Sequence, residues 1–204
     1  QDLLCLLEME GHGIKFDWEG ISGARNATRT ALDAVESTLR DGWLGGWPHF
    51  NLDSPEHVSA LLYGGTINVD ISEPYEAVVK SGTMAGTTIT RHRWHEEHKE
   101  FPRLVEPIKG TEKKKEGVWA TDEPTLLKLP KPKKLISLLL ERSELEKLLG
   151  TYYKGIPDLV QKMDWEDGLI HGQLNQCVAR TGRLSASRPK QQNIDGRINQ
   201  FMIS

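Results

Sequence analysis

Residues suited to a helix face recur at three- and four-residue intervals along two long stretches of the chain. The first stretch runs from Trp18 to Arg40, and the second runs from Leu135 to about Lys154. The positions on these stripes are Ile21, Ala24, Thr28, Ala31, Val35 and Leu39, then Leu135, Leu138, Leu139, Leu145, Leu148, Leu149 and Tyr152. This spacing places each set on one face of a helix. The pattern predicts two long helices that can pack antiparallel, with Gly42 ending the first.

Glycine, serine and proline mark the ends of shorter elements in the first part of the chain. The segment DLLCLLEMEGHG reads as a short apolar helix that stops at Gly11 and Gly13, before an extended segment, IKFD. Ser54 is suited to cap a helix and Pro55 to begin it. The two glycines at 64–65 are expected to end that helix, and the stretch from Thr66 to Lys109 has no readable periodicity.

Further short elements lie around the second long helix. The stretch KGTEKKKEGVWATDEPTLLKL predicts an extended or hairpin element and then a capped helical turn that begins at Thr121. The segment GIPDLVQKM predicts a turn and a short helix, and the alternation in GLIHGQLNQCVART predicts a pair of short strands. The fold class is therefore α+β and mostly α, with a long antiparallel helix pair and a small β element.

Composition narrows the class of protein. The chain has 204 residues, of which 37% are hydrophobic and 27% charged, as expected for one or two domains with a real core. No apolar run approaches the roughly 20 residues of a membrane span. The N-terminus carries acidic residues where a secretory signal carries basic ones. Cys5 and Cys177 lie far apart in the sequence, and we expect both to be reduced thiols. We expect a cytoplasmic protein, and the missing initial Met indicates a piece of a longer one.

Charge is distributed unevenly along the chain. The net charge is −3, yet Arg91 to Lys134 holds twelve Lys and Arg against eight Asp and Glu. The stretch from Arg180 to Gln200 holds five basic residues against a single acid, Asp195. A mildly acidic chain with two basic segments fits a polyanion held in one groove rather than one bound all over the surface.

Two local patterns resemble sites but lack the spacing that the chemistry needs. His92, His95 and His98 lie three apart, whereas the helical zinc pattern needs histidines four apart with a glutamate between them. The segment GTEKKKEG has the glycines of a phosphate loop without the following Lys and hydroxyl residue. A solvated charged segment and an exposed lysine turn are the favoured readings, although such lysines can bind a nucleic-acid backbone.

The segment TGRLSASRPKQQNI, residues 181–194, mixes basic residues with hydroxyls and carboxamides. Basic residues alone would suit a carboxylate ligand, whereas this mixture suits a ligand that offers both phosphates and base edges. A surface loop with a chance excess of charge is the alternative that composition leaves open.

Five segments in a fixed order resemble family A DNA polymerases, the class of the bacterial repair polymerases that many phages also use. They are LLEMEGHGIKFD, FNLDSPEHVSALLYGG, KGTEKKKEGVWATDEPTLLKL, LERSELEKLLGTYYKGIPDLV and GLIHGQLNQCVARTGRLSASRPKQQNI. The last is the most specific, and the similarity covers most of the chain except an insertion at about 71–107. Single-subunit RNA polymerases, a related class, lack this last block.

The resemblance implies a domain layout and an activity. Residues 1–17 would be a helix leaving an exonuclease-like domain, 18–163 the thumb, and 164–204 the first strands of the palm. The parent protein would be a template-directed DNA polymerase, and this segment would bind and position primer–template duplex. A non-catalytic nucleic-acid-binding module on the same scaffold is the alternative, in which the catalytic aspartates would be lost.

The resemblance also implies roles for particular residues. Arg183 matches the arginine that donates to the minor groove near the primer terminus, and Gln192 and Asn193 match carboxamides on the template side. Minor-groove acceptors occupy nearly the same place in every base pair, so such donors test pair geometry without reading sequence. The expected DNA-binding set is Arg183, Gln192, Asn193, Lys190, Asn175, Thr181, Lys147, Thr151, Asn51, Ser54, Lys113, Lys114, Lys115 and Thr121. Arg188, Lys190 and Asp195 depart from the family's usual residues, and they make the loop more basic or replace a proline.

The remaining expectations concern what the chain lacks. In the family, two Mg²⁺ ions held by palm aspartates activate the primer hydroxyl, and those ligands would lie outside this chain. The complete enzyme would use deoxynucleoside triphosphates and the rest of the polymerase, in the same or a separate chain, in a bacterial cell or phage-infected host. Alone, the 204 residues would bind primer–template weakly and polymerise nothing.

Overall fold

A computed structural model describes residues 8, 10–78, 81, 87–165, 169–175, 185–187 and 195–203. The chain divides into two compact units. The terminal unit comprises Gln1–Thr38 and Glu141–Ser204, and the central unit comprises Leu39–Leu140.

The described helices and strands follow in chain order. The strands are β1 (Ile14–Phe16), β2 (Gly65–Val78), β3 (Thr88–Phe101), β4 (Leu169–Ile170), β5 (Gln173–Asn175), β6 (Ser185–Ser187) and β7 (Met202–Ile203). The helices are α1 (Trp18–Trp43), α2 (Pro55–Tyr63), α3 (Glu123–Leu126), α4 (Lys133–Lys147), the π-helix (Leu148–Lys154), α5 (Gly155–Met163) and α6 (Gly196–Asn199). Among the described residues, no helix is both long and apolar enough to cross a membrane.

The terminal unit is built on a small antiparallel sheet of order β4–β1–β7. Asp17 connects β1 to α1, where its carboxylate accepts a hydrogen bond from the Gly20 amide at 2.9 Å and so caps the helix. A Cβ at Gly20 would come into close contact with that carboxylate, so a larger residue there would require the Asp17 side chain to shift. The core is formed by Phe16, Ile21, Leu148, Tyr152, Tyr153, Ile156, Ile170, Ile198 and Phe201.

The parts of α1 and α4 that belong to the terminal unit, up to Thr38 and from Glu141, run antiparallel. Glu36, late in α1, accepts a 2.8 Å hydrogen bond from Arg142, in the second half of α4. Ile21, early in α1, shares a core with Leu148 and Tyr152, which follow α4 in the chain. The predicted antiparallel helix pair is confirmed, as is the mixed, mainly helical fold class.

The central unit packs around an aromatic cluster beside α2. Ser54 caps α2, Pro55 begins it and Gly64 ends it, as the sequence predicted. The Phe50 and Phe101 rings lie 5.5 Å apart with nearly perpendicular planes, and Trp47 contacts Phe101 in turn. Such edge-to-face contacts add to the apolar burial that stabilises the core.

Strands β2 and β3 form an antiparallel ribbon, the element that the periodicity did not reveal. They pair along their whole length, from Gly65 opposite Phe101 to Val78 opposite Thr88. The ribbon therefore begins and ends earlier in the sequence than the insertion predicted at 71–107. Its strands are rich in charged residues, so the alternation of apolar and polar residues that marks a half-buried strand is absent.

Several predicted boundaries are wrong. Helix α1 continues through Gly42 to Trp43. The short helix α3 begins at Glu123, after Asp122 at the N-cap position, rather than at Thr121. The turn predicted at GIPDLV is absent, because Gly155 has right-handed helical angles and α5 follows the π-helix without a break. The two predicted strands near the end exist, but β4 pairs with β1 and β5 pairs with β6.

Candidate nucleic-acid interface

The lysine run predicted to form a tip lies in a tight hairpin of the central unit. The backbone of Lys113 donates to Val118 at 2.8 Å, and Glu112 and Trp119 form a bridge. The Ser59 hydroxyl accepts from the Trp119 amide at 2.9 Å, which fixes the hairpin to α2. The predicted hairpin is confirmed, and Lys113 and Lys114 are both exposed on it.

Lys115 differs from the two lysines before it. Its ammonium lies 2.5 Å from a carboxylate oxygen of Glu56, in the first turn of α2. Both side chains are largely exposed, so the pair adds little to stability. A polyanion would have to compete with Glu56 for Lys115. Lys113 and Lys114 make no such ion pair with any other residue that the structure describes.

Asn51 and Ser54 lie at the start of α2, where their side chains already make local hydrogen bonds. The Asn51 carboxamide accepts from the Asp53 amide at 2.9 Å, and the Ser54 hydroxyl accepts from the His57 amide at 3.5 Å. The Asn51 amide donates to Nδ1 of His57 at 2.9 Å. Asn51 is exposed and Ser54 half-buried, so a ligand could reach the free positions of the carboxamide.

Residues of α2, of the ribbon base and of the lysine hairpin line a cleft of about 400 Å³. Its lining includes Glu56, His57, Thr66, Asn68 and Lys115. Burial lowers the pKa of His57 and the charge of Lys115 lowers it further, against the opposing effect of Glu56. The histidine is therefore held neutral, with Nδ1 as an acceptor, and the cleft wall is polar without being strongly basic.

Thr121 follows the hairpin and is half-buried. The Asp122 carboxylate next to it accepts from the Thr125 hydroxyl at 2.7 Å. That hydrogen bond is the main cause that lowers the Asp122 pKa, with Lys113 and Lys128 adding to it. Burial raises the pKa of Tyr63, whose hydroxyl donates to the Ala120 carbonyl.

Lys147 and Thr151 lie in the terminal unit, and both are exposed. Lys147 is the last residue of α4, and Thr151 lies in the π-helix. The hydrogen bonds from Arg197 are the main cause that lowers the pKa of Asp195, to about 2. The positive charge of Lys147 lowers this pKa further. Arg197 also donates to Glu144 of α4 at 2.7 Å, which ties the start of α6 to α4.

Five of the predicted contact residues, Thr181, Arg183, Lys190, Gln192 and Asn193, lie outside the described residues, as do Cys5 and Cys177. The flanks of the first two are described. Strands β5 and β6 pair antiparallel, with Asn175 opposite Ser185. The segment that carries Thr181 and Arg183 therefore leaves one strand and returns on its neighbour.

The three histidines of HRWHEEH do not form a metal site. They lie on strand β3, where alternate side chains point to opposite faces, so His95 faces away from His92 and His98. His92 instead shares a 2.7 Å hydrogen bond with Ser72. In the described parts of the chain, no group of three or more His, Cys, Asp or Glu is arranged to hold a metal ion.

Sequence reasoning missed three sets of charged residues. Arg142 pairs with Glu36 and Glu146, Arg197 joins Asp195 and Glu144, and Arg91 and Arg93 lie together on the ribbon. The only signal for the ribbon pair was the alternation of two arginines in TRHRW. The first two sets depend on residues far apart in the sequence, which no local pattern reveals.

Comparison with known proteins places these features in a family. The model of DNA polymerase family A matches residues 95–202. "DNA polymerase I" of Geobacillus stearothermophilus is 32% identical over 195 residues, which cover 96% of this chain and 17% of that protein. "DNA polymerase I" of Synechocystis sp. is 40% identical over 94 residues, which cover 46% of this chain and 9% of that protein. The chain therefore spans less than a fifth of either relative.

A solved structure shares the fold. It is the "POL domain of Pol1 from M. smegmatis complex with DNA primer-template and dNTP", with a TM-score of 0.59 and 22% identity. The similarity covers 94% of this chain and 26% of that one. The relatives named here are bacterial, so they lend no support to a phage source. Because the family model matches more than half of the residues and a relative aligns over nearly all of them, this chain belongs to DNA polymerase family A.

Proposed function

We propose that this chain binds and positions primer–template duplex as the thumb and first palm strands of a template-directed DNA polymerase. The observation that carries the proposal is the pairing of β5 with β6 on either side of the segment that holds Thr181 and Arg183. The two described strands bring the two ends of this segment side by side. The family match over residues 95–202 includes it.

The exposed lysines supply the second part of the proposal. Lys113 and Lys114 in the central unit and Lys147 in the terminal unit would contact phosphates, which gives affinity that does not depend on base sequence. Arg183, Gln192 and Asn193 would donate to minor-groove acceptors, whose position is nearly the same in every base pair. A polymerase needs both, since it must hold any sequence and still test the newest pair.

The solved relative was captured with primer–template and dNTP, and we extend that partner class to the whole protein to which this chain belongs. The complete enzyme would add deoxynucleotides with Mg²⁺, in the cytoplasm. The part proposed for this chain is binding and orientation of the duplex.

The test is binding of the 204-residue chain to a fluorescent primer–template and to the matching single strand across a salt series. Arg183→Ala is expected to weaken duplex binding about tenfold, the value of a hydrogen bond from a charged group. Arg25→Ala is the matched control, because Arg25 is exposed on α1 and its loss changes the net charge equally. The proposal is wrong if the two variants weaken binding equally, or if the chain has no preference for duplex.

A further inference from the structure

The β2–β3 ribbon sorts its charged residues between its two faces. Side chains of directly paired residues share a face, and faces alternate along each strand. The register of Ser72 opposite Trp94 and Glu73 opposite Arg93 therefore defines two faces. All basic residues of the described ribbon, Arg91, Arg93 and Lys99, lie on the face of Glu73. The other face carries Asp70, Glu76, Glu96 and Glu100, with no Lys or Arg.

The root of the Glu73 face belongs to the fold of the central unit. Lys99 donates to the Leu44 carbonyl at 2.8 Å and lies over the Trp47 ring. Glu97 accepts a hydrogen bond from the Trp47 indole at 2.8 Å, and Ile67 is buried. These contacts anchor the ribbon, and they account for the charged residues nearest to its base.

The outer part of the same face has no such role. Arg91 and Arg93 are exposed, and Tyr75, which lies directly opposite Arg91, is 41% exposed. The Arg93 guanidinium lies over the Tyr75 ring, 5.4 Å from its centre. A cation–π contact of this kind favours one position of the guanidinium near the ring and does not use its N–H groups as hydrogen-bond donors. Arg93 is therefore placed where it can donate to an oxygen-rich anion.

We propose that the outer basic face of the ribbon, formed by Tyr75, Arg91 and Arg93, is an additional contact with the phosphate backbone of duplex DNA. Strand geometry makes the ribbon about 45 Å long, more than one turn of the double helix, which is about 35 Å. Arg91 and Arg93 lie on one face, about 7 Å apart along the strand, so both can engage one backbone. The opposite, acidic face would be repelled by DNA, which fixes the side that can approach it.

The choice of occupant follows from charge and from the neighbouring elements. The base of β2 and the lysine hairpin line the same cleft, where Thr66 and Asn68 belong to the acidic face of the ribbon. Arg91 and Arg93 lie on the other face, so their contact would be separate from that of Lys113 and Lys114, which the proposed function assigns to phosphates. The inference rests on that function and adds a second group of contacts. Glu73 lies opposite Arg93 on this face, and its negative charge would weaken binding to phosphates. We therefore expect a weak contact that depends on the two arginines and not on base sequence.

The experiment compares the salt dependence of duplex binding among ribbon variants of the 204-residue chain, with a fluorescent duplex as the probe. Arg91→Ala with Arg93→Ala is expected to reduce the slope of log K against log salt by about two, one for each lost phosphate contact. At low salt the affinity should fall about ten- to fiftyfold. Arg91→Lys with Arg93→Lys should keep the slope, because the two positive charges remain. This variant separates the loss of charge from any effect of replacing the two side chains on the ribbon.

The matched control changes the opposite face. Thr88→Glu with Thr90→Glu lowers the net charge by the same amount as the two alanines, on exposed positions of the acidic face. If net charge alone governed binding, this control would weaken it as much as the arginine variant. We expect it to leave the slope within experimental error of wild type.

The outcomes separate this inference from the proposed function. If Lys113→Ala with Lys114→Ala lowers the slope but the arginine variant does not, the ribbon does not touch DNA and the proposed function stands. If the control and the arginine variant behave alike, the ribbon inference is also wrong, since no face is selected. If wild type shows no salt-dependent duplex binding, the proposed function itself fails.

Discussion

Arg142 and Arg93 are both arginines on regular secondary structure, yet they are used in opposite ways. Arg142, on α4, has a side chain only 9% exposed and donates to Glu36 and Glu146. Arg93, on the ribbon, is exposed and faces a tyrosine ring. The donors of the first are used by carboxylates of its own unit, whereas those of the second remain for a ligand. Burial and the nature of the partner distinguish a structural arginine from a binding one.

The largest effect is expected from Arg142→Ala. It would leave Glu36 and Glu146 partly buried with their main cation gone, and breaking a buried pair on one side costs about 3–5 kcal/mol. Because both carboxylates retain some exposure, we expect about 2–3 kcal/mol in the free energy of unfolding, measured in urea. Arg29→Ala, which removes an exposed i,i+4 pair with Asp33, should cost less than about 0.5 kcal/mol. Equal losses would refute the comparison.

A smaller effect is expected at Asp195, which caps α6 and binds Arg197. Asp195→Ala should cost about 1 kcal/mol, the usual value of an N-cap, whereas Asp195→Asn keeps the cap and should cost less. The folded pKa of about 2 lies below the usual aspartate value. The stabilisation is therefore complete above about pH 4 and lost as the pH falls towards 2. NMR titration of the Asp195 carboxyl carbon measures this pKa. A pKa at the usual aspartate value would contradict the predicted loss of stability at low pH.

His57, beside the lysine hairpin, is expected to change the free energy of unfolding with pH, in a higher pH range than Asp195 does. Its lowered pKa means that the fold favours the neutral ring. The associated stability is present above the ordinary histidine pKa near 6.5 and is lost as the pH falls through the lower folded value. His57→Asn keeps an acceptor for the Asn51 amide but cannot titrate in this range. Between pH 7 and 5 the free energy of unfolding should therefore change less for the variant than for wild type. The same change with pH in both proteins would contradict this.

The smallest effect on stability is expected at the ribbon arginine. Arg93→Ala should change the free energy of unfolding by no more than about 0.5 kcal/mol, since an exposed cation–π contact contributes little. The same variant should lower the salt slope of DNA binding by about one. A large loss of stability with an unchanged salt slope would show that Arg93, like Arg142, stabilises the fold and does not bind DNA.

Local patterns were sufficient for much of the fold. The stripes of α1 and α4 place apolar residues on one side at a period that only a helix satisfies, and Ser54 with Pro55 located the start of α2. The π-helix was not foreseen, because Gly155 is a common helix end and only the continued helical backbone angles show that the chain does not stop there. For the candidate site, the lysine hairpin and its exposed Lys113 and Lys114 were predicted from GTEKKKEG alone.

The amino-acid sequence by itself determined the family, the helix pair and the basic hairpin, because each depends on residues close together or on motifs in a fixed order. The tertiary structure alone decided which charges are occupied. Lys115 is held by Glu56, which is distant in sequence, and Arg142 by Glu36. It also decided that Arg91 and Arg93 share a face, because strand pairing sets which side chains lie together. A charge acts on what lies within a few ångströms of it, and for these residues that neighbourhood is made by the fold.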